Sequence, residues 1–153
     1  MMKRLDNLKD KSEIIRRLEL VEPSVKGLWG RMSAHQMICH LRDCFLMALG
    51  EKEVRSIGNI FHKTVLKWIA LNLPVPVPKE RPTLPEVNQE IGGTRPVNFE
   101  KDFTELVNLI ERFANRADGF DAAQHPILGK LSESEWARWG YLHTDHHLRQ
   151  FGV

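Results

Sequence analysis

Cysteine is scarce in this chain: only Cys39 and Cys44 occur among 153 residues. They stand five positions apart in a segment with helical patterning, so their side chains point to different faces and cannot easily bridge each other. The sequence is therefore not that of a disulfide-stabilised scaffold. Free thiols are typical of a reducing compartment, and we expect a cytoplasmic protein.

Long apolar runs and an excess of one charge sign are also missing. The N-terminus becomes charged at Lys3 and Arg4, without the apolar run of a signal peptide. The most apolar stretch, residues 65–78, contains Lys67, Asn72 and three prolines, and so lacks the roughly 20 apolar residues of a membrane span. With 22 basic and 20 acidic side chains, we expect no nucleic-acid or membrane partner.

Strand-like alternation is absent, and apolar residues instead recur every three or four positions, which is typical of helices. The clearest amphipathic pattern comprises Phe99, Phe103, Leu106, Val107, Ile110, Phe113 and Ala114. Weaker patterns run from Leu8 to Val21, from Met37 to Ala48 and from Ile57 to Ile69. A turn is expected at residues 118–121.

Two capping boxes mark helix starts. Ser33 with Gln36, and Ser132 with Glu135, have the three-residue spacing at which each side chain satisfies a backbone N–H of the other residue. The helix that follows Ser132 should run to about Phe151.

Six of the eight prolines fall within residues 73–98. This segment is too long for an ordinary bundle loop, and its prolines make it stiff. It is either a crossover strapped along the helices or a lid, with one short helix near Pro85 to Gln89. We predict an all-α four-helix bundle with a long proline-rich crossover, forming one domain over residues 1–153.

Three of the seven histidines fall within residues 143–147, HTDHH. On a helix, His143 and His147 lie about 40° apart around the axis and one turn apart along it, so both imidazoles can approach one metal ion. His146 points about 100° away from His147. Alternatively, His143 and His147 are hydrogen-bonded core residues or polar surface residues. Two buried imidazoles each need a partner, however, and one metal ion satisfies both.

A third ligand should come from another helix. His40 is the best candidate because it lies in the apolar stripe of Met37 and Leu41. His35 and His62 are weaker candidates, and His125, before a proline, is expected to frame an opening. Cys44 follows His40 by one turn, but a small buried apolar residue is the preferred interpretation.

Three neutral imidazoles suit Zn, Ni, Cu or Fe better than Mg or Ca. Three protein ligands leave a position for water or substrate, as in catalytic zinc sites. A bound water could ionise near neutral pH, or the ion could hold a thiolate cosubstrate. Asp43 and Asp145 could orient ligand histidines, although Asp145 could equally pair with Arg149.

Residues 37–43 (MICHLRD) and 143–147 (HTDHH) resemble the DinB/YfiT-like superfamily of metal-dependent enzymes, and the closing segment resembles a bacterial branch of unknown function. The resemblance implies a four-helix bundle, often dimeric, with a nickel or zinc ion on His40, His143 and His147. It also implies thiol-dependent transfer or isomerisation in some members and hydrolysis in others.

We therefore expect a metal-dependent enzyme, either a thiol-dependent S-transferase or a small-molecule hydrolase. Its partners would be a small-molecule substrate, a low-molecular-weight thiol and a second copy in a homodimer. The alternative is a non-catalytic bundle, stabilised by metal, that acts as a stress-related or partner-binding module.

Overall fold

The computed structural model describes residues 2–79, 81–116 and 123–153. Within these ranges the chain forms five α-helices and no β-strand, which confirms the all-α prediction. The helices are α1 (Leu8–Leu18), α2 (Ala34–Ala48), α3 (Lys67–Asn72), α4 (Phe99–Ala114) and α5 (Glu133–Gln150). The predicted turn at residues 118–121 lies outside the described residues. No helix in the described ranges combines the length and apolarity that a membrane crossing requires.

Both predicted capping boxes are present at the starts of α2 and α5. The Ser33 hydroxyl accepts from the Gln36 amide N–H at 3.1 Å, and the Gln36 side chain accepts from the Ser33 amide at 2.8 Å. Ser132 and Glu135 make the same reciprocal pair at 3.3 and 2.8 Å. Each helix therefore begins directly after its predicted cap, because the cap satisfies N–H groups that lack a partner within the helix.

An aromatic cluster joins the helices in the core. The Phe45 ring of α2 lies 5.1 Å from the Phe113 ring of α4 and 6.2 Å from the Trp139 ring of α5, measured between ring centres. Both pairs meet edge to face, a favourable arrangement for aromatic rings. Helix α2 packs along α4, and α5 contacts both α1 and α2. The cluster therefore fixes the separation of α2 from α5.

Gly140 allows α5 to lie close to its neighbours. A Cβ atom at this position would be 2.8 Å from Leu5 Cδ1 and 2.9 Å from Phe113 Cε1. Both distances are shorter than real Cβ contacts, so a larger residue would push α5 away from the core.

Two of the weaker helical patterns differ from their predictions. Helix α1 ends at Leu18 rather than near Val21, and Leu8 is 73% exposed. The third pattern forms a π-helical turn, His62–Leu66, that runs directly into α3. Its large apolar residues are exposed, namely Ile57, Ile60, Phe61, Val65 and Trp68. Periodicity identified the helical segment but not the side of it that is buried.

Residues 85–94 are fastened to α2, whereas residues 74–79 are exposed. The short helix predicted near Pro85 is present as a 3-10 helix, Pro85–Val87. Val87 and Gln89 are buried, so this half of the proline-rich segment is part of the packed structure.

Truncating Phe45 tests the aromatic cluster. We expect Phe45→Ala to lower the free energy of unfolding by about 3–5 kcal/mol, because it leaves a cavity between α2, α4 and α5. Phe61→Ala is the matched control: Phe61 is 54% exposed, and its loss should change stability by less than about 0.5 kcal/mol. Urea unfolding measures both changes, and equal losses would contradict this account of the core.

Candidate metal centre

Helices α2 and α5 bring the rings of His40, His143 and His147 together. The ring centres of His40 and His143 are 5.3 Å apart, those of His40 and His147 are 4.8 Å apart, and those of His143 and His147 are 4.9 Å apart. His40 is 4% exposed and His147 is 9% exposed, whereas His143 is only half-buried. The sequence pattern thus identified three histidines that meet in space. Their role as metal ligands stays a prediction.

His40 is oriented by a backbone carbonyl. Its Nδ1 lies 2.8 Å from the oxygen of Val87. A carbonyl can only accept, so Nδ1 carries the proton and Nε2 keeps a free lone pair. Metal-binding histidines commonly donate their other ring N–H to such an acceptor.

His147 is oriented by a side-chain amide. Its Nδ1 lies 2.9 Å from Oε1 of Gln150, and the Gln150 amide nitrogen donates to the Trp29 carbonyl at 2.9 Å. Because the Trp29 carbonyl accepts from the amide nitrogen, Oε1 must face His147 and accept from Nδ1–H. The Nε2 lone pair of His147 is therefore free as well.

The spacing of the rings fits a shared metal ion. The Nε2 atoms of His40 and His143 are 3.2 Å apart. Two nitrogens bound to one tetrahedral zinc ion at about 2.0–2.1 Å lie about 3.3 Å apart, with ring centres about 5 Å apart. The three observed ring-centre distances are close to that value, but the ligand atoms that lie within 4.8 Å of one another are those of His40, His143 and Cys44, without His147. Without an ion, a single proton between the two Nε2 atoms has to satisfy both.

The three imidazoles are held in their neutral form. Burial lowers the pKa of His40, and it lowers the pKa of His143 and of His147 well below the usual histidine range. The neighbouring imidazoles lower the pKa of His143 further, because they disfavour a second positive charge. Neutral imidazole is the form that binds metals.

Cys44 lies beside this cluster. Its sulfur and the ring nitrogens of His40 and His143 lie within 4.8 Å of one another, so distance alone makes it a candidate ligand. However, Sγ is 3.6 Å from Nε2 of His40 and 4.0 Å from Nδ1. It therefore lies over the ring face and not in line with the Nε2 lone pair. Burial raises the pKa of the Cys44 thiol, which keeps it protonated. Cys44 packs here as a small apolar residue.

A second group of potential ligands comprises His35, Cys39 and Asp102. Nε2 of His35 lies 2.7 Å from one Asp102 oxygen, and the guanidinium of Arg42 binds the other. The arginine already supplies a fixed positive charge to this carboxylate and would repel a metal ion. Burial raises the pKa of Cys39 to about 12, so its thiol is also a poor ligand. We interpret this group as an ion-pair network between α2 and α4.

The two aspartates singled out as orienting groups bind other partners. Asp43 is completely buried and accepts from Gln89 and Thr94. Asp145 pairs with Arg149 at 3.0 Å, which is the alternative weighed from the sequence, and with Arg17 at 2.7 Å. The groups that do orient ligand candidates are the Val87 carbonyl and Gln150. Gln150 follows His147 by three residues, a spacing that could have revealed it, whereas a backbone carbonyl leaves no signal in the sequence.

His125, which we expected to frame an opening, is instead buried against Trp136 and Trp139. Its Nδ1 accepts from the amides of Ile127 and Leu128 at 3.1 and 3.0 Å. Nδ1 therefore carries no proton, and Nε2 carries the N–H. His62 binds Asn59 at the start of the π-helical turn, away from the cluster.

A groove of about 620 Å³ follows another face of α5, between that helix and residues 73–77. Its wall includes Arg138, Leu142 and Arg149, which lie about 100° or more around the helix from His143 and His147. The wall also includes Asp145 and His146, and the His146 ring centre lies 5.2 Å from that of His147, so the groove passes close to the histidine cluster. Of the three histidines, His143 is the least buried as a whole residue.

A family model described as "Protein of unknown function (DUF1569)" matches residues 2–152. The chain belongs to the DUF1569 family. This is a different family from the DinB/YfiT-like superfamily, so the assignment based on residues 37–43 and 143–147 was wrong. Short histidine motifs on helices follow from the geometry of ligand spacing, and two different families can share them. Neither curated proteins nor solved structures gave a match to this DUF1569 chain.

His125 should make stability depend on pH. Burial lowers its pKa from 6.5 to about 4 in the folded protein. Between these values the unfolded state binds the proton and the folded state does not, so stability is lost as the pH falls. The loss should reach about 3 kcal/mol at pH 4. His125→Asn keeps an acceptor for the two amides but cannot titrate, so it should lose correspondingly less stability between pH 7 and pH 4. Urea unfolding at each pH measures the free energy of unfolding. An equal loss between pH 7 and pH 4 in the wild type and in His125→Asn would contradict this prediction.

Proposed function

We propose that this protein binds one divalent transition-metal ion through His40, His143 and His147 and uses it in a reaction on a small molecule. The observation that carries the proposal is the orientation of His40 and His147. Each donates Nδ1–H to a fixed acceptor, so its Nε2 lone pair is left for a cation or a donor, and for His40 the neighbouring group is Nε2 of His143 at 3.2 Å. Two free lone pairs in an apolar interior are costly unless a cation or a donor meets them.

The donor set favours particular metals and reactions. Three imidazoles suit zinc or nickel, and such an ion supplies Lewis acidity and lowers the pKa of a water or thiol that it binds. His40 and His147 are buried, whereas His143 is only partly buried. Hydrolysis of a small molecule, or transfer to a low-molecular-weight thiol, fits three protein ligands with one position left for substrate.

The helix arrangement supports this proposal. We infer that α1, α2, α4 and α5 form a four-helix bundle and that residues 73–98 cross over it as a strap. Support comes from the contacts of α2 with α4 and of α5 with α1 and α2. The attachment of residues 87–94 to α2 favours a strap over a lid. The free, buried thiols of Cys39 and Cys44 agree with a cytoplasmic location.

One observation favours a non-catalytic alternative. His40 and His143 are separated by 103 residues in sequence and lie on different helices. An ion between them would cross-link α2 to α5 and stabilise the fold whether or not any reaction followed. In this alternative the protein is a metal-stabilised module that binds a partner.

Elemental analysis of the purified full-length protein tests the site. We expect about one equivalent of zinc or nickel in the wild type and almost none in His143→Ala/His147→Ala. His62→Ala is the matched control, because it removes a histidine outside the cluster, and it should retain the metal. Absence of metal from the wild type, even after incubation with Zn²⁺ or Ni²⁺, would overturn the proposal.

The metal-loaded and chelator-treated proteins separate the two functions. Turnover of ester substrates, or of electrophiles in the presence of a small thiol, that requires both metal and His143 would support the enzyme. A melting temperature raised by metal, without turnover in either panel, would support the non-catalytic module.

A further inference from the structure

Asp43 holds a distant segment of chain on α2. Its carboxylate is completely buried and accepts from the Gln89 side-chain amide at 3.0 Å. It also accepts from the backbone N–H of Thr94 at 2.7 Å and from the Thr94 hydroxyl at 2.7 Å. The ammonium of Lys52 lies 3.4 Å away and offsets the buried negative charge. One side chain thus binds both ends of residues 89–94.

The same segment carries the acceptor for His40. Val87 precedes Gln89 by two residues, and its carbonyl oxygen accepts from Nδ1–H of His40 at 2.8 Å. His40 and Asp43 are three residues apart on α2, so they lie on neighbouring positions of one helix face. Helix α2 therefore contacts residues 87–94 at two adjacent points, one of which is a histidine of the candidate metal centre.

We propose that Asp43 is a positioning residue for the metal centre: by holding residues 87–94 on α2, it fixes the Val87 carbonyl that orients His40. This inference rests on the proposed metal site. Asp43 contacts neither the ion nor the substrate in this account, and it acts only through the backbone of Val87. The acceptor itself cannot be removed by a side-chain substitution, so Asp43 is the residue through which its position can be changed.

Metal affinity and attachment of this segment are then thermodynamically linked. If the attached segment favours metal binding by some factor, bound metal must favour attachment by the same factor. Loss of a group that orients a ligand histidine typically weakens metal affinity about 10–100-fold. Metal should accordingly slow hydrogen exchange at the Thr94 amide, although Thr94 touches no ligand candidate.

The test measures Zn²⁺ affinity of the full-length protein by competition with a chromophoric chelator. We expect Asp43→Asn to weaken binding about 10–100-fold, and nuclear magnetic resonance should show that His40 no longer holds its proton only on Nδ1. Asp102→Asn is the matched control. Asp102 is also a buried carboxylate, and it binds two side chains of α2, those of His35 and Arg42. It should lose stability and keep wild-type affinity.

The outcomes separate this inference from the proposed function. A wild type that binds no Zn²⁺ overturns both. If the wild type binds Zn²⁺, two results overturn only the positioning role. One is unchanged affinity in Asp43→Asn, and the other is an equal loss of affinity in Asp43→Asn and Asp102→Asn. If Asp43→Asn does not fold, Thr94→Val removes one of the four contacts and should weaken affinity by a smaller factor. Unchanged affinity in Thr94→Val would then contradict the inference.

Discussion

The packing of three uncharged imidazoles between α2 and α5, two of them buried, is the constraint on which the candidate centre depends. A buried ring nitrogen without a partner destabilises the fold, so each of the six nitrogens of His40, His143 and His147 needs a donor, an acceptor or a cation. Val87 and Gln150 satisfy two of them, and these contacts leave lone pairs in the space between the rings. The apolar aromatic cluster around Phe45 and Trp139 keeps α2 and α5 close enough for that space to be shared.

The ion pairs around Asp102 and the candidate metal ligands around His40 lie on different sides of α2. Around Asp102, carboxylate charge is met by Arg42 and His35, and no vacancy for a cation is left on that carboxylate. Around His40, the described side chains include no arginine or lysine bound to the rings, and the potential ligands are neutral. The two sets of residues alternate along α2, since His35, Cys39 and Arg42 face α4 while His40 and Cys44 face α5. Helix α2 thus forms ion pairs on the side that faces α4 and carries candidate metal ligands on the side that faces α5.

Local rules of sequence predicted much of this arrangement. The capping boxes located the starts of α2 and α5, and the apolar periodicity located α4. Both signals depend only on residues three or four positions apart in the sequence. The spacing of His143 and His147 is likewise local. The approach of His40 to these two histidines was predicted from its place in an apolar stripe.

The role of Val87 was not predictable, because it depends on how residues 87–94 pack. The exposed apolar side of residues 57–68 also escaped prediction, since periodicity does not say which partner covers a helix. The family assignment failed because short ligand motifs carry little information on ancestry.

The acceptor at Val87 has a consequence for how this centre can vary among relatives. Every amino acid supplies the same main-chain oxygen. The side chain at position 87 can therefore change without changing the acceptor that His40 contacts. The hydrogen bonds that hold the segment carrying this oxygen on α2 come from Asp43 to Gln89 and Thr94. A search restricted to residues that contact the three histidines would pass over Gln89 and Thr94, which lie outside α2 and α5 and are joined to the candidate centre only through Asp43 and the backbone of Val87.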